Sequence, residues 1–237
     1  MFNTFEKVFL VGKCVTLRDF VEFLNIGKVN ERSLRNSFRV WLNYLDYNDL
    51  IESEIISKLR SKVKLNISSN IDTYVPVKED IDKSLSLLSS LNSNLYTLFL
   101  ESGARTSEIK EFVENFDKSK LEYYDKIVLY RNFYLRNSKN SYYLFFTKKT
   151  ISEFLKFKVD GRLFNQFKEK VLRNKDIINL KYLRKYQFTQ MIKAEVEFEI
   201  ANFIQGRSSK NIGFNHYLAK KEIALKEYGK IVNFFDE

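Results

Sequence analysis

The stretch Leu98-Phe99-Leu100-Glu101-Ser102-Gly103-Ala104-Arg105-Thr106-Ser107-Glu108-Ile109 decides how this chain is read. It predicts an apolar helix end, a turn at Gly103, and an arginine placed directly after that turn with a carboxylate three residues on. Working outward toward the N-terminus, Lys78-Glu79-Asp80 opens a helix on which Ile81, Leu85, Leu88, Leu91 and Leu95 form one face. Before it the periodicity stops. The polar run from Asn66 to Thr73 and the single proline, Pro76, mark a linker, so the domain boundary is placed near residue 73.

The first third, residues 1–73, reads as helices. Leu17, Phe20, Val21 and Leu24 recur at helical spacing, as do Leu34, Phe38, Trp41, Leu42 and Leu45. The apolar stripes are core packing. Arg32, Arg35 and Arg39 lie between them, on either a solvated face or one that tracks phosphates.

Toward the C-terminus, Lys126 to Leu135 and Ser141 to Phe146 are rich in Val, Ile, Tyr and Phe. They predict a β-hairpin with a polar, basic tip, Arg136-Asn137-Ser138-Lys139-Asn140. Helical patterns resume from Thr150 to the end. The fold class expected is mainly α with a small antiparallel β-sheet or hairpin. Seven glycines and one proline in 237 residues fit long helices better than a turn-rich β architecture.

Composition narrows the function. A 44% hydrophobic, 16% aromatic chain has the material for a core, so its net charge of +10 is displayed on a folded surface. Such a surface suits a polyanion, nucleic acid first. One cysteine, Cys14, excludes an internal disulfide framework and a cysteine-based zinc cage. One histidine, His216, excludes a multi-histidine metal site. No apolar run approaches the roughly 18–20 residues that cross a bilayer, and the N-terminus carries no signal pattern. A cytoplasmic location with no membrane partner is expected.

Four separated pieces then line up: Arg105 with Glu108 after the Gly103 turn; Lys139 on the hairpin tip; Lys181-Tyr182-Leu183-Arg184 with the spacing K-x-x-R; and Gln205-Gly206-Arg207 followed ten residues later by Tyr217 in Asn215-His216-Tyr217-Leu218. In this order the pieces resemble the tyrosine recombinase (phage-type integrase) family. Its pattern is an arginine in a TGxRxxE-like turn, a hairpin lysine, H/K-x-x-R, a G-H/W turn and a nucleophilic tyrosine. The resemblance covers residues 74–237; residues 1–73 look like the family's helical core-binding, DNA-binding domain, without a sharp motif. Lys181 replaces the commoner histidine, and Arg207 the commoner His or Trp. Both departures resemble integrases of archaeal viruses and plasmids more than bacterial Xer or phage enzymes, and with a viral origin the location would be the host cytoplasm.

What the resemblance implies is a site-specific recombinase that cleaves and rejoins duplex DNA through a 3′-phosphotyrosyl intermediate, with no cofactor and no metal. Arg105, Arg184 and Arg207 would hold phosphate oxygens, because guanidinium forks match phosphate geometry. Lys139 would protonate the 5′ leaving oxygen, with Lys148 and Lys149 as its alternatives. Lys181 would donate to a phosphate oxygen or share the proton work. Tyr217 would be the nucleophile, with Tyr228 its rival, and Glu108 would orient Arg105 or a lysine. His216 reads as a plain neighbour. Partners implied are double-stranded DNA attachment sites, with a homotetramer working on two of them. The tail from Leu218 to Glu237 either docks on a neighbouring protomer or folds back on its own. Two other readings stand beside this one: a non-catalytic DNA-binding regulator on a recombinase scaffold, and a relative of type IB topoisomerases.

Overall fold

The computed structural model describes residues 31–49, 52–62, 72–134, 141–207 and 214–236. The chain divides into two compact units between Asp72 and Thr73. In the first, helices α1 (Glu31–Tyr47) and α2 (Ser53–Lys62) pack together. Phe38, Leu42 and Leu45 from α1 and Ile56 and Leu59 from α2 are buried. Arg60 crosses between the helices to Asn43 Oδ1 and Asp46 Oδ2, both at 2.8 Å. Arg39 is exposed. The stripe Leu17, Phe20, Val21, Leu24 and the side chains of Arg32, Leu34 and Arg35 lie outside the described residues, as does most of the polar run before Thr73.

The second unit begins with α3 (Lys78–Ser86) and α4 (Ser90–Ser102). The single helix expected from Ile81 to Leu95 is therefore two. The chain leaves helical geometry at Leu87 and re-enters after Ser89, whose extended backbone (φ −68°, ψ 160°) makes it the N-cap of α4. The serine-rich run Ser84–Ser90 favours this break, because serines suit caps better than helix interiors. The five apolar residues still reach one core: Ile81 and Leu95 are buried, and Leu85, Leu88 and Leu91 pack against them.

Helix α5 (Thr106–Glu114) leads through a short 3₁₀ turn (Lys118–Lys120) into a three-stranded antiparallel sheet: β1 (Leu121–Tyr124), β2 (Ile127–Tyr134) and β3 (Ser141–Thr147), in that order. The hairpin β2–β3 agrees with expectation, with Val128 opposite Phe146 and Tyr130 opposite Leu144. The edge strand β1 was not foreseen; it is four residues long and half-exposed, so it lacks an apolar alternation.

Helices α6 (Lys148–Phe154), α7 (Gly161–Arg173), α8 (Leu180–Lys193), α9 (Phe198–Ile204) and α10 (Phe214–Asp236) complete the unit. They bury the sheet from both sides. Val128, Tyr130, Leu144 and Phe146 face the core built by α4 to α8. Ile127, Leu129, Tyr143 and Phe145 face a second core with Met191, α9 and α10. A pair of strands covered on both faces needs apolar residues on both, which is why β2 and β3 read as continuous apolar runs. Helix α4 is central for the same reason: Leu95, Tyr96, Leu98, Phe99 and Leu100 are all buried. Among the described residues the protein is thus mainly helical with one small antiparallel sheet. Helix α10 folds back onto its own chain through Ala224, Tyr228, Ile231 and Val232.

Candidate active site

Gly103 ends α4 in the left-handed region (φ 55°), its N–H donating to Phe99 O at 3.0 Å. A side chain there would press into Gln187 Oε1 and Gln205 Nε2, so glycine is required both for φ and for space. Two residues on, Arg105 is the N-cap of α5, and Glu108 accepts from its backbone N–H through Oε2 at 2.7 Å. The same carboxylate accepts from Arg105 Nη1 through Oε1 at 2.6 Å. Glu108 has no exposed side-chain surface. Its charge is placed by the turn and spent on the arginine.

Arg184 enters from α8. Its Nη1 donates to Gly103 O at 2.6 Å and its Nη2 to Gln205 O at 2.8 Å, with Glu108 Oε2 3.9 Å away. Arg105 Nη1 also donates to Gly206 O at 3.1 Å. Two arginines, 101 and 21 residues from their carbonyl partners, therefore bind the α9–α10 turn to the α4–α5 turn. Gly206 too has a positive φ (62°) and packs on Ser141. Arg207 lays its guanidinium 4.7 Å from the centre of the Phe188 ring.

The electrostatics follow from this crowding. Burial first, then the charges of Arg105 and Arg207, push the Arg184 guanidinium down to about 9 against the pull of Glu108. Partial burial and the charge of Arg105 likewise lower Arg207, although this side chain keeps an exposed face. Among the described residues, Arg105 and Arg184 share the Glu108 carboxylate and Arg207 adds a third positive charge within electrostatic reach of both arginines, so the site holds an excess of positive charge that an oxyanion would relieve.

Residues that sequence reasoning passed over build the frame. Gln205 Nε2 donates to Arg184 O (2.8 Å) and Gln187 Oε1 (2.5 Å), and Gln187 Nε2 donates to Glu101 O (2.9 Å). The Glu101 carboxylate accepts from Thr147 N, Thr147 Oγ1 and Thr150 Oγ1. All of these residues except Arg184 are buried. The available signal was polar side chains at positions where helical periodicity expects apolar ones.

Of the residues singled out in sequence, Arg105, Glu108, Arg184 and Arg207 come together. Lys181 lies in the first turn of α8, one turn before Arg184, with Nζ 4.3 Å from the centre of the Tyr182 ring. Lys139 lies outside the described residues. Ser141, the first residue of β3, abuts Gly206. Lys148 and Lys149, its alternatives, are exposed at the far end of β3, about 20 Å away along a seven-residue strand. Tyr217 is in the first turn of α10; its side chain, with those of His216 and Leu218, lies outside the described residues. Its rival Tyr228 is a core residue, fully buried, donating to Glu101 O (3.1 Å) and Phe145 O (3.3 Å).

Among the described residues no three His, Cys, Asp or Glu side chains are grouped to hold a metal ion, and no described helix is long and apolar enough to cross a membrane. None of the curated proteins matches the chain in sequence. A family model, archaeal phage integrase, matches residues 73–234. That span takes in the Gly103 turn, the arginine cluster, the sheet and helix α10 up to its last turn, and by it the chain belongs to the archaeal phage integrase family.

Proposed function

We propose that the protein is a site-specific recombinase that cleaves and rejoins duplex DNA through a tyrosine nucleophile, without a metal ion. The observation that carries this reading is the convergence of Arg105, Arg184 and Arg207 around the two glycine turns, where among the described residues the Glu108 carboxylate pairs with Arg105 and Arg184 and leaves a net positive charge. Cleaving a phosphodiester without metal requires neutralising the charge of a pentacovalent phosphate. Guanidinium forks, already oriented by Glu108 and by backbone carbonyls, suit that task.

In this reading the Tyr217 oxygen attacks phosphorus, its proton passing to solvent, and the P–O5′ bond breaks. A 3′-phosphotyrosyl link forms, and Lys139 delivers a proton to the departing 5′ oxygen. Lys181 donates to a non-bridging oxygen. Free tyrosine has a pKa of about 10, and the cationic cluster favours its anion. The buried phenol of Tyr228, committed to two core carbonyls, supports Tyr217 over its rival. The protein acts as a homotetramer on two attachment sites, the first unit adding DNA contacts.

The test uses duplex DNA carrying an attachment site and a nick, so that a cleaved strand cannot be rejoined. Wild type is expected to form a covalent adduct resistant to denaturation, with and without chelator. Tyr217→Phe is expected to bind the DNA and form none, while Tyr228→Phe still forms it. An adduct retained in Tyr217→Phe, or abolished by chelator, would overturn the mechanism.

A further inference from the structure

Helix α10 carries Tyr217 in its first turn, yet the first fully buried apolar residue among its described side chains is Ala224. Between them the described contacts are polar. Lys221 reaches across 99 residues of sequence to donate to Glu122 Oε2 on the edge strand β1. Lys220 sits 3.4 Å from Glu199 of α9.

The Lys221 contact differs from an ordinary surface pair, which contributes little. The Lys221 and Glu122 side chains keep only 15% and 24% of their exposure. The Lys221 ammonium lies 5.5 Å from the ring centres of both Tyr124 and Tyr143. Glu122 also accepts from Tyr124 Oη at 2.7 Å and has Arg131 Nε at 3.4 Å. Arg131 is itself tied to Ser119 O at 2.9 Å. One carboxylate thus gathers two cations and a phenol, and its cation is walled by two aromatic rings. Such a network is stronger than its separate pairs.

We infer that Glu122 and Lys221 form a latch that holds the Tyr217-bearing end of α10 against the sheet, and that both act as positioning residues for strand cleavage. Lys221 is four residues, one helical turn, beyond Tyr217. Helix ends are where local opening begins, and small displacements of a reacting group cost much of the rate. An edge strand with few apolar contacts of its own gains a role as the anchor. The latch stands on the contacts above; its effect on cleavage rests on the proposed tyrosine mechanism.

Hydrogen–deuterium exchange of the full chain, read for residues 214–221 and 224–232 separately, tests the latch. In Lys221→Met and Glu122→Gln, amides of 214–221 are expected to exchange about tenfold faster while those of 224–232 hold. Lys221→Arg should restore protection. Unchanged exchange at 214–221, or acceleration spread evenly along α10, would overturn the latch. On nicked DNA, Lys221→Met and Glu122→Gln should lower the single-turnover rate of adduct formation about tenfold with DNA affinity unchanged. An unaltered rate in variants whose 214–221 segment has loosened would overturn the positioning role. A wild type that forms no adduct refutes the tyrosine mechanism instead, and the exchange result still decides the latch.

Discussion

Glu108 governs the arginine cluster because, among the described residues, its carboxylate, with no side-chain exposure, is the one paired with both Arg105 and Arg184. Glu108→Gln leaves the partly buried Arg105 and Arg184 guanidinium groups facing one another without their carboxylate, and breaking a buried pair in this way costs about 3 kcal/mol. Urea unfolding should show that loss. Sulfate, at ionic strength matched with chloride, should raise the melting temperature of Glu108→Gln more than that of wild type, since it supplies the missing charge. At Glu122 burial pushes the carboxyl up, but the hydrogen bonds from Lys221 and Tyr124 outweigh it and hold it below the ordinary 4.5. Its contribution to stability is therefore complete above about pH 4.5 and is lost as the pH falls through its lowered value. Burial pushes the Lys221 ammonium down, but its interactions with Glu122 and Tyr124 together outweigh this and hold it above 10.5, so its contribution is complete up to about pH 10.5 and is lost as the pH rises through its raised value. The stability difference between wild type and Glu122→Gln should be flat between these limits and shrink below pH 4.5, as measured by unfolding across the pH range. Arg105, Glu108 and Arg184 were legible as a motif. Gln187, Gln205 and Glu101 were not, because their importance lies in partners 18 to 86 residues away.

Among elements, the α4–α5 turn is the most constrained. Gly103→Ala would force a side chain into the left-handed region and against the two glutamine amides. A loss of about 2 kcal/mol is expected from strain alone, together with slower adduct formation, because the Arg184 contact to Gly103 O shifts with the turn. Tyr228→Phe makes a useful contrast. It removes hydrogen bonds at 3.1 and 3.3 Å inside the core, and should cost about 1 kcal/mol while leaving cleavage intact. The hairpin and the opening of α3 at Lys78 were readable from residue type. The break at Leu87–Ser89 was not, since an apolar spacing that continues across it conceals two helices packing on one core. Strand β1 escaped notice because pairing with Val128 and Leu129, rather than its own pattern, makes Glu122 and Tyr123 a strand.

For the molecule as a whole, a net charge of +10 on a folded chain predicts duplex binding dominated by phosphate contacts. Affinity should fall steeply with salt, with a log–log slope of about 0.9 for each phosphate contacted. A titration of the full protein against duplex DNA from 50 to 200 mM salt measures it, and a flat response would contradict a basic binding surface.

The features legible in the sequence share a short range. The glycine turn, the carboxylate three residues after Arg105, the K-x-x-R spacing and the paired strands each depend on a few consecutive residues, and their order carried the family. The tertiary structure decided what local rules cannot reach. It set Arg184 on Gly103 and Arg105 on Gly206, 81 and 101 residues apart, buried Tyr228 in the core, and tied Lys221 to an unforeseen strand. Those meetings arise from the summed packing of two cores around one sheet, a sum of many weak contacts that no single stretch of the chain encodes.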